Sequence, residues 1–443
     1  RNADGARGSN NREIYVVTNL NNSGAGSLRD AVSQANRIIV FNVSGVIDLN
    51  KEVLVFKDNQ TVVFQTAPGD GIELYNGRTS STNANNLIVR YMRMRTGRQV
   101  SGSDNIDAGG AAYGHDQIYD HCSFTWGTDE CFSLNNDKQP KGLYNITLQN
   151  SILGQGCQNH SCGGLVQTSD EEGVTVFRNL FIDNKTRNFK VKGLNQFVNN
   201  VIYNWTGEGA YGAQGGSYNI INNYYKPGPV NAAKKTHCRI FTAYVDDGKN
   251  QQAKGVYGKF YVNGNYFETY DKLSASQKTE AANANADNTS STAFVVKNNE
   301  ISSQNLLVSS RFPILDDYSF VQTAQNAYKA ILQYAGASNI RDNIDKRIVD
   351  ETEKGTFTYT GSSGGANGLI DTQTDVEGWS EYVSAATTQQ DSDKDGIPDE
   401  WETANGLNPN DGNDGNKYNL NKEYTNLEVY LNSLVNSLYP TNN

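Results

Sequence analysis

Seven short segments share one arrangement, a run of alternating apolar positions broken by a polar corner that is most often Asn. They read LIVRYMRM (87–94), QIYDHCSF (117–124), NITLQNSIL (145–153), VTVFRNLFI (174–182), NQFVNNVIY (195–203), YNIINNYY (218–225) and FYVNGNYF (260–267). Aligned on the corner residue they give Arg90, His121, Asn150, Asn179, Asn200, Asn223 and Asn265, at steps of 31, 29, 29, 21, 23 and 42 residues. A floor near 21–23 residues with longer excursions is the signature of a solenoid, in which short strands stack coil on coil and insertions become loops on one side. An antiparallel sandwich would show turns at shorter, more even intervals. The pattern therefore predicts an all-β, right-handed, single-stranded parallel β-helix. Repeated Asn at one corner would stack as a ladder of side-chain amides.

Other stretches predict the ends. In VVTNLNNSGAGSLRDAVSQAN (16–36) a strand and a Gly/Ser loop lead to a short helix from Ser27, an N-terminal cap over the open end of the solenoid. In TAQNAYKAILQYAG (323–336), Ala324, Ala327, Ile331 and Leu332 fall at helical spacing and Gly336 closes the helix. The expected organisation is a β-helix over 1–320, a helix and loops packing on it over 321–389, and a small calcium-binding extension over 390–443.

Composition agrees with a turn-rich fold. Hydrophobic residues are only 37%, but aromatics reach 10% with 25 Tyr, which argues against disorder. There are 42 Gly, 8 Pro and abundant Asn, a residue that tolerates left-handed corners. No run of about 18 apolar residues is present, so no membrane span is expected. Of the net charge of −10, a net of −7 lies in 391–443, whereas residues 86–200 hold eleven basic and eleven acidic side chains. The acidity thus belongs mostly to the tail and does not forbid a polyanion in a locally basic groove. Without a basic block or recognised module, nucleic acid is not an expected partner. The cysteines at 122, 131, 157, 162 and 238 include no close Cys-x-x-Cys pair, which disfavours a zinc or redox motif. Cys157 and Cys162 could form a disulfide, or all five could be buried thiols.

Three constellations carry chemistry. Asp391, Asp393, Asp395, Asp399 and Glu402 occupy positions 1, 3, 5, 9 and 12 of a loop with Gly396 at position 6 and Ile397 at position 7. This oxygen-rich spacing suits a structural calcium ion, or else a solvated acidic turn. Asp104 and Asp107 precede DHCSFTWGTDE (120–130) by about one coil. Strands stacked about 4.8 Å apart would let Asp107 and Asp129 share a cation, although loop Asp residues are often only turn formers. In TRNFKVK (186–192), strict alternation sets Arg187 aside from Lys190 and Lys192, which share one face. Such a cluster suits anionic sugars, or is an ordinary solvated edge.

At this point a family resemblance emerges. RNADGARGSNNREIYVVTNLNNSGAGSLRDAV (1–32), IYDHCSFTWGTDE (118–130), TRNFKVKG (186–193) with VNNVIYNW (198–205), and NIINNYYKPGP (219–229) resemble, in order, blocks of polysaccharide lyase family 1, the pectate lyases. RDNIDKRIV (341–349) and DSDKDGIPDEWETANGLNPND (391–411) are similar to members with C-terminal extensions. The resemblance covers nearly the whole chain. It implies a secreted, monomeric enzyme that cleaves acidic plant cell-wall polysaccharide, pectate or pectin, by Ca2+-assisted β-elimination. It further implies that Arg187 removes the C5 proton of galacturonate and that Lys192 holds the substrate carboxylate. The ligands of a catalytic calcium would be Asp107 and Asp129, with Asp104 and Glu130 as neighbours, and Lys190, His160 and Arg95 are candidate substrate contacts. The sequence departs from the family pattern at Phe189, where a Pro is usual, and at Ser133, where a second acidic ligand often stands. A β-helical polygalacturonase-type hydrolase, with Asp129 and Glu130 as the acid–base pair, and a noncatalytic polysaccharide-binding solenoid are the rival readings.

Overall fold

The structure, a computed structural model, describes residues 3–439 except 99–104, 137–140, 232, 233, 235, 250, 251, 270, 272 and 380. Short strands stack into three long sheets of ten, seven and ten strands, and the β-pairings are parallel apart from one edge pair, Ala385–Ala386 against Val43–Ser44. One coil shows the rule: Gly114–Asp120 lies in the first sheet, Ser123–Thr125 in the second ten-stranded sheet and Glu130–Asn135 in the seven-stranded sheet, before Leu143–Gln149 begins the next coil. The chain is a parallel β-helix.

The corner between the two ten-stranded sheets explains the recurring Asn. Its first residue has positive φ in successive coils: Tyr91 60°, His121 54°, Asn150 50°, Arg178 52°, Asn199 56° and Asn222 51°. Asn adopts this left-handed conformation at least cost among non-Gly residues. The second residue forms a buried ladder. Asn179, Asn200, Asn223 and Asn265 each donate Nδ2 to a carbonyl of the preceding coil at 2.9–3.0 Å. Each Oδ1 accepts the backbone N–H of the rung before it, from Ser151 at 2.9 Å, Asn179 at 3.0 Å, Asn200 at 2.8 Å and Asn223 at 3.0 Å. Ser151 takes the rung below, accepting the N–H of Cys122 through Oγ at 3.0 Å. The sequence alignment is therefore corrected in three coils. The residues that correspond to Asn179 are Ser151, Cys122 and Met92, not Asn150, His121 and Arg90, a shift of one residue in two coils and of two in the first, while Tyr91 stacks on His121 at 4.8 Å at the position before.

Apolar side chains and stacked rings, such as Phe181, Phe189 and Phe197, fill the interior. The helix Leu28–Ala31, capped by Ser27, covers the N-terminal end with Leu28, Ala31 and Val32. Ala281 and Ala284 of the helix Ala275–Ala286 contribute to the same core, and Asn288 ends the ladder by accepting the Asn265 N–H at 2.7 Å. The expected helix spans Ala324–Tyr334, and with Asn343–Lys354 it packs on Ile152, Leu180, Ile182 and Val201 outside the second ten-stranded sheet. In the tail, Ile397, Leu427 and Leu431 lie against Ile38, Val40 and Val63 on the first coils.

Candidate active site

The seven-stranded sheet brings the groove residues together. Residues 107 and 130 sit on neighbouring coils: the Glu130 N–H donates to Asp107 Oδ1 at 3.1 Å and the Ala108 N–H to the Glu130 carbonyl at 3.0 Å. The next coils add Cys162 opposite Glu130, then Thr186 opposite Cys162. Asp129, Glu130 and Cys162 have potential ligand atoms within 4.8 Å of one another.

The strand Thr186–Lys192 does not alternate strictly. Its pairing slips between Gly164 and Leu165, which face Asn188 and Lys190, so Phe189 is an extra residue, a β-bulge. Phe189 is buried between Phe181 at 4.3 Å and Phe197 at 4.0 Å. Arg187, one residue from the bulge, has φ 54°. Strict alternation would turn Arg187 inward with Phe189 and Val191. The bulge and the left-handed residue instead bring its guanidinium to the acidic cluster, beside Lys190. The expectation that Arg187 stands aside from the lysines is corrected on this ground.

Arg187 Nη1 donates to Glu130 Oε1 and to Asp129 Oδ1 at 3.3 Å, and Nε donates to the Tyr211 hydroxyl at 3.3 Å. His160 Nδ1 lies 2.8 Å from Asp129 Oδ1 at the exposed edge. Lys192 Nζ pairs with buried Asp246 at 3.4 Å. Burial, and then the hydrogen bond its carboxyl donates to Asp107, push Glu130 up to about 9, and burial raises Asp107 too. Burial disfavours the charged guanidinium of Arg187, yet Cys162, Glu130 and Tyr211 hold it above its ordinary value. Burial lowers Lys190, and Arg187 and Lys192 lower it further. The site thus packs carboxylates and cations whose charges are balanced locally.

Beside it, Arg78, Asp107, Gly110, Ser133 and Asn135 line a depression of about 200 Å³ that prolongs the groove. Gly110 (φ 154°) faces Ser133, whose carbonyl oxygen would stand 1.9 Å from an added Cβ, so this close approach requires glycine.

Two expected site residues fall elsewhere. Arg95 is fully buried and does not reach the groove: it pairs with Glu73 at 3.0 Å, Asp342 at 2.6 Å and Asp345 at 3.0 Å, clamping the helix Asn343–Lys354 to the solenoid. Asp399 begins the helix Asp399–Asn405 and accepts hydrogen bonds from Ser392 N and Oγ, both at 2.7 Å. It therefore lies outside the carboxylate clusters of the tail. Asp391, Asp393 and Asp395 group together, and Asp395 and Glu402 group with Asp414, which the loop spacing did not reveal. Ile397 is buried against Val40 and its neighbours. Asp104 lies outside the described residues. All five cysteines are free and buried, so Cys157 and Cys162 form no disulfide. Tyr211 and Asp246 were not anticipated, because GEGAYGAQGG and YVDDGK carry no motif that ties them to a distant strand.

A parallel β-helix with clustered acids and bases on one sheet defines a class of groove proteins suited to an acidic polymer. The comparisons narrow the class. No protein-family model matches the chain. Curated relatives named "Probable pectate lyase C" are 41% identical over 442 residues in Aspergillus flavus and in Neosartorya fischeri, spanning 98% of this chain and 92% of each relative. Among solved structures, a pectate lyase of Bacillus sp. N165 in complex with trigalacturonate is 16% identical, covers 76% of this chain and 99% of its own, and gives a TM-score of 0.49. On the strength of the full-length relatives, the chain belongs to the pectate lyase family of polysaccharide lyases.

Proposed function

We propose that this protein cleaves α-1,4-linked polygalacturonate by calcium-assisted β-elimination, with Arg187 as base. The observation that carries the reading is the meeting of Arg187, Asp129, Glu130, Lys190 and Tyr211 on one groove face of a chain in the pectate lyase family.

The proton at C5 is weakly acidic, because its removal places negative charge on a carbon beside a carboxylate. Lys192, partnered by Asp246, and Lys190 supply positive charge for the substrate carboxylate and stabilise that state. Asp107, Asp129 and Glu130 fit a hard cation: they are oxygen donors, burial and then neighbouring carboxylates raise Asp107 and Glu130, and a divalent ion would relieve the repulsion. When bound, such an ion supplies a Lewis acid for the uronate carboxylate. Asp129 and Glu130, the partners that keep the proton on Arg187, would be taken up by an ion held there, and Lys190 beside Arg187 disfavours a second cation. Neutral Arg187 then takes the C5 proton and the C4–O electron pair leaves with the departing sugar. The products are a 4,5-unsaturated uronide and a chain end that gains a proton, and no water is consumed. His160 lies at the exposed edge of the site. Because the polymer lies outside cells, the reading carries secretion with it, and we take the working form to be a monomer.

A hydrolase needs two carboxylates about 5–9.5 Å apart acting independently. Here Asp129 and Glu130 bind the same guanidinium nitrogen of Arg187, which favours elimination. The test is to incubate polygalacturonate with the protein in calcium and follow the ultraviolet absorbance of the unsaturated product. A rise accompanying the cleavage supports elimination. New reducing ends without absorbance mean hydrolysis, and binding without either product means a noncatalytic solenoid.

A further inference from the structure

The tail holds a second set of carboxylates that the groove chemistry does not use. The backbone holds both oxygens of Asp391 and one oxygen each of Asp393, Asp395 and Asp414. Asp391 accepts from Lys394 N at 2.7 Å and Gly396 N at 3.0 Å, Asp393 from Asp395 N at 3.3 Å, Asp395 from Ile397 N at 2.9 Å, and Asp414 from Asn408 N at 3.0 Å. These bonds turn the remaining oxygens inward. Asp393 Oδ2, Asp395 Oδ2, Asp414 Oδ1 and both oxygens of Glu402 are buried with no hydrogen-bond partner. Glu402 is 0% exposed and Asp395 1%. Among the described residues, none of the five acids forms a salt bridge with Lys or Arg. Converging buried acceptors without a donor are strongly unfavourable unless a cation lies between them.

We propose that Asp391, Asp393, Asp395, Glu402 and Asp414 bind one calcium ion, and that this ion fastens the tail to the first coils of the β-helix. An all-carboxylate set drawn from two loops and a helix suits calcium, which accepts six to eight oxygens in flexible geometry. Magnesium retains water and demands an octahedron.

The ligands are joined directly to the packing. Ile397, between Asp395 and Glu402, is buried in the cluster with Ile38 and Val40. Asn426 donates through Nδ2 to the Asp414 carbonyl at 2.8 Å and begins the helix Asn426–Ser433, whose Leu427, Tyr430 and Leu431 cover the same apolar surface. Removing the ion leaves repelling acids at the hinge of this cover.

The test uses the full chain, stripped with a chelator, dialysed and titrated with CaCl2 by calorimetry, with thermal unfolding measured before and after. The variants are Asp395→Asn/Glu402→Gln for the tail and Glu130→Gln for the groove. Carboxamides remove the repulsion, so the tail variant folds without the ion. We expect Glu130→Gln to keep one tight site per chain and a calcium-dependent rise in Tm. The tail variant should lose that site, by at least a hundredfold in affinity, together with the rise. In the wild type, limited proteolysis read by mass spectrometry should cut within 391–439 only in chelator. Unchanged affinity and unchanged calcium stabilisation in the tail variant would overturn the proposal. So would a wild type whose only calcium site disappears with Glu130→Gln.

Discussion

Phe189→Ala separates the packing role of the bulge from its role at the site. The ring is 4% exposed and touches Phe181 and Phe197 at centroid distances of 4.3 and 4.0 Å. Truncating a buried Phe costs about 3–5 kcal/mol, of which each aromatic pair accounts for about 0.5–1.5 kcal/mol. Phe189→Leu keeps most of the volume and should lose only about 1–2 kcal/mol. The activity effect has a different origin. Phe189 is the extra residue that lets Arg187 reach Glu130 rather than the core, and a displacement of about 1 Å in a reacting group costs on the order of a hundredfold in rate. Urea unfolding followed by circular dichroism gives the stability. Initial rates of unsaturated product, taken where each variant is fully folded, give kcat. The expected result is a large loss of both quantities for Ala and a small loss of both for Leu. A Phe189→Ala protein that is destabilised yet keeps wild-type kcat would refute the claim that the bulge positions the base.

Arg95→Met should destabilise by about 3–5 kcal/mol, because it leaves Glu73, Asp342 and Asp345 buried around a missing charge; KM for polygalacturonate in the folded fraction should not change, and a raised KM would restore Arg95 to the groove. Asn200→Ala removes the side chain that accepts from Asn179 and donates to Val176 and Asn223, and denaturant unfolding should report a loss of about 2–4 kcal/mol. Burial would raise Asp120, but His121, Arg90 and Tyr439 together outweigh it and hold the carboxyl below the ordinary carboxylate range. Its stabilisation is therefore present above about pH 4 and lost as pH falls through the depressed value. Asp120→Asn should remove that part of the acid dependence of Tm, and identical acid profiles would contradict the assignment.

The solenoid was legible because its periodicity is written in local terms: apolar alternation faces the core, and Asn at a corner meets both the left-handed backbone and the ladder. The misalignments arose where Ser151 does the work of Asn through a hydroxyl and where Cys122 and Met92 stand at the ladder position in place of Asn. Arg187 was found by resemblance, but its direction was not readable from alternation, since a bulge leaves no reliable mark in a single sequence. Arg95 looked like a groove cation because nothing nearby in the chain announces Asp342 and Asp345, some 250 residues later. Asp414 was hidden for the same reason. Spacing identifies ligands within one loop, whereas the fold alone recruits a ligand from the next.

The central claim is that Arg187 is the base of an elimination, and Arg187→Ala tests it most directly. The measurement is the rate of unsaturated product from polygalacturonate in calcium, with folding of the variant verified by its thermal transition. The account predicts a wild-type protein that generates ultraviolet-absorbing product and a folded variant at least about a thousandfold slower. A folded Arg187→Ala protein that forms unsaturated product at the wild-type rate would contradict it.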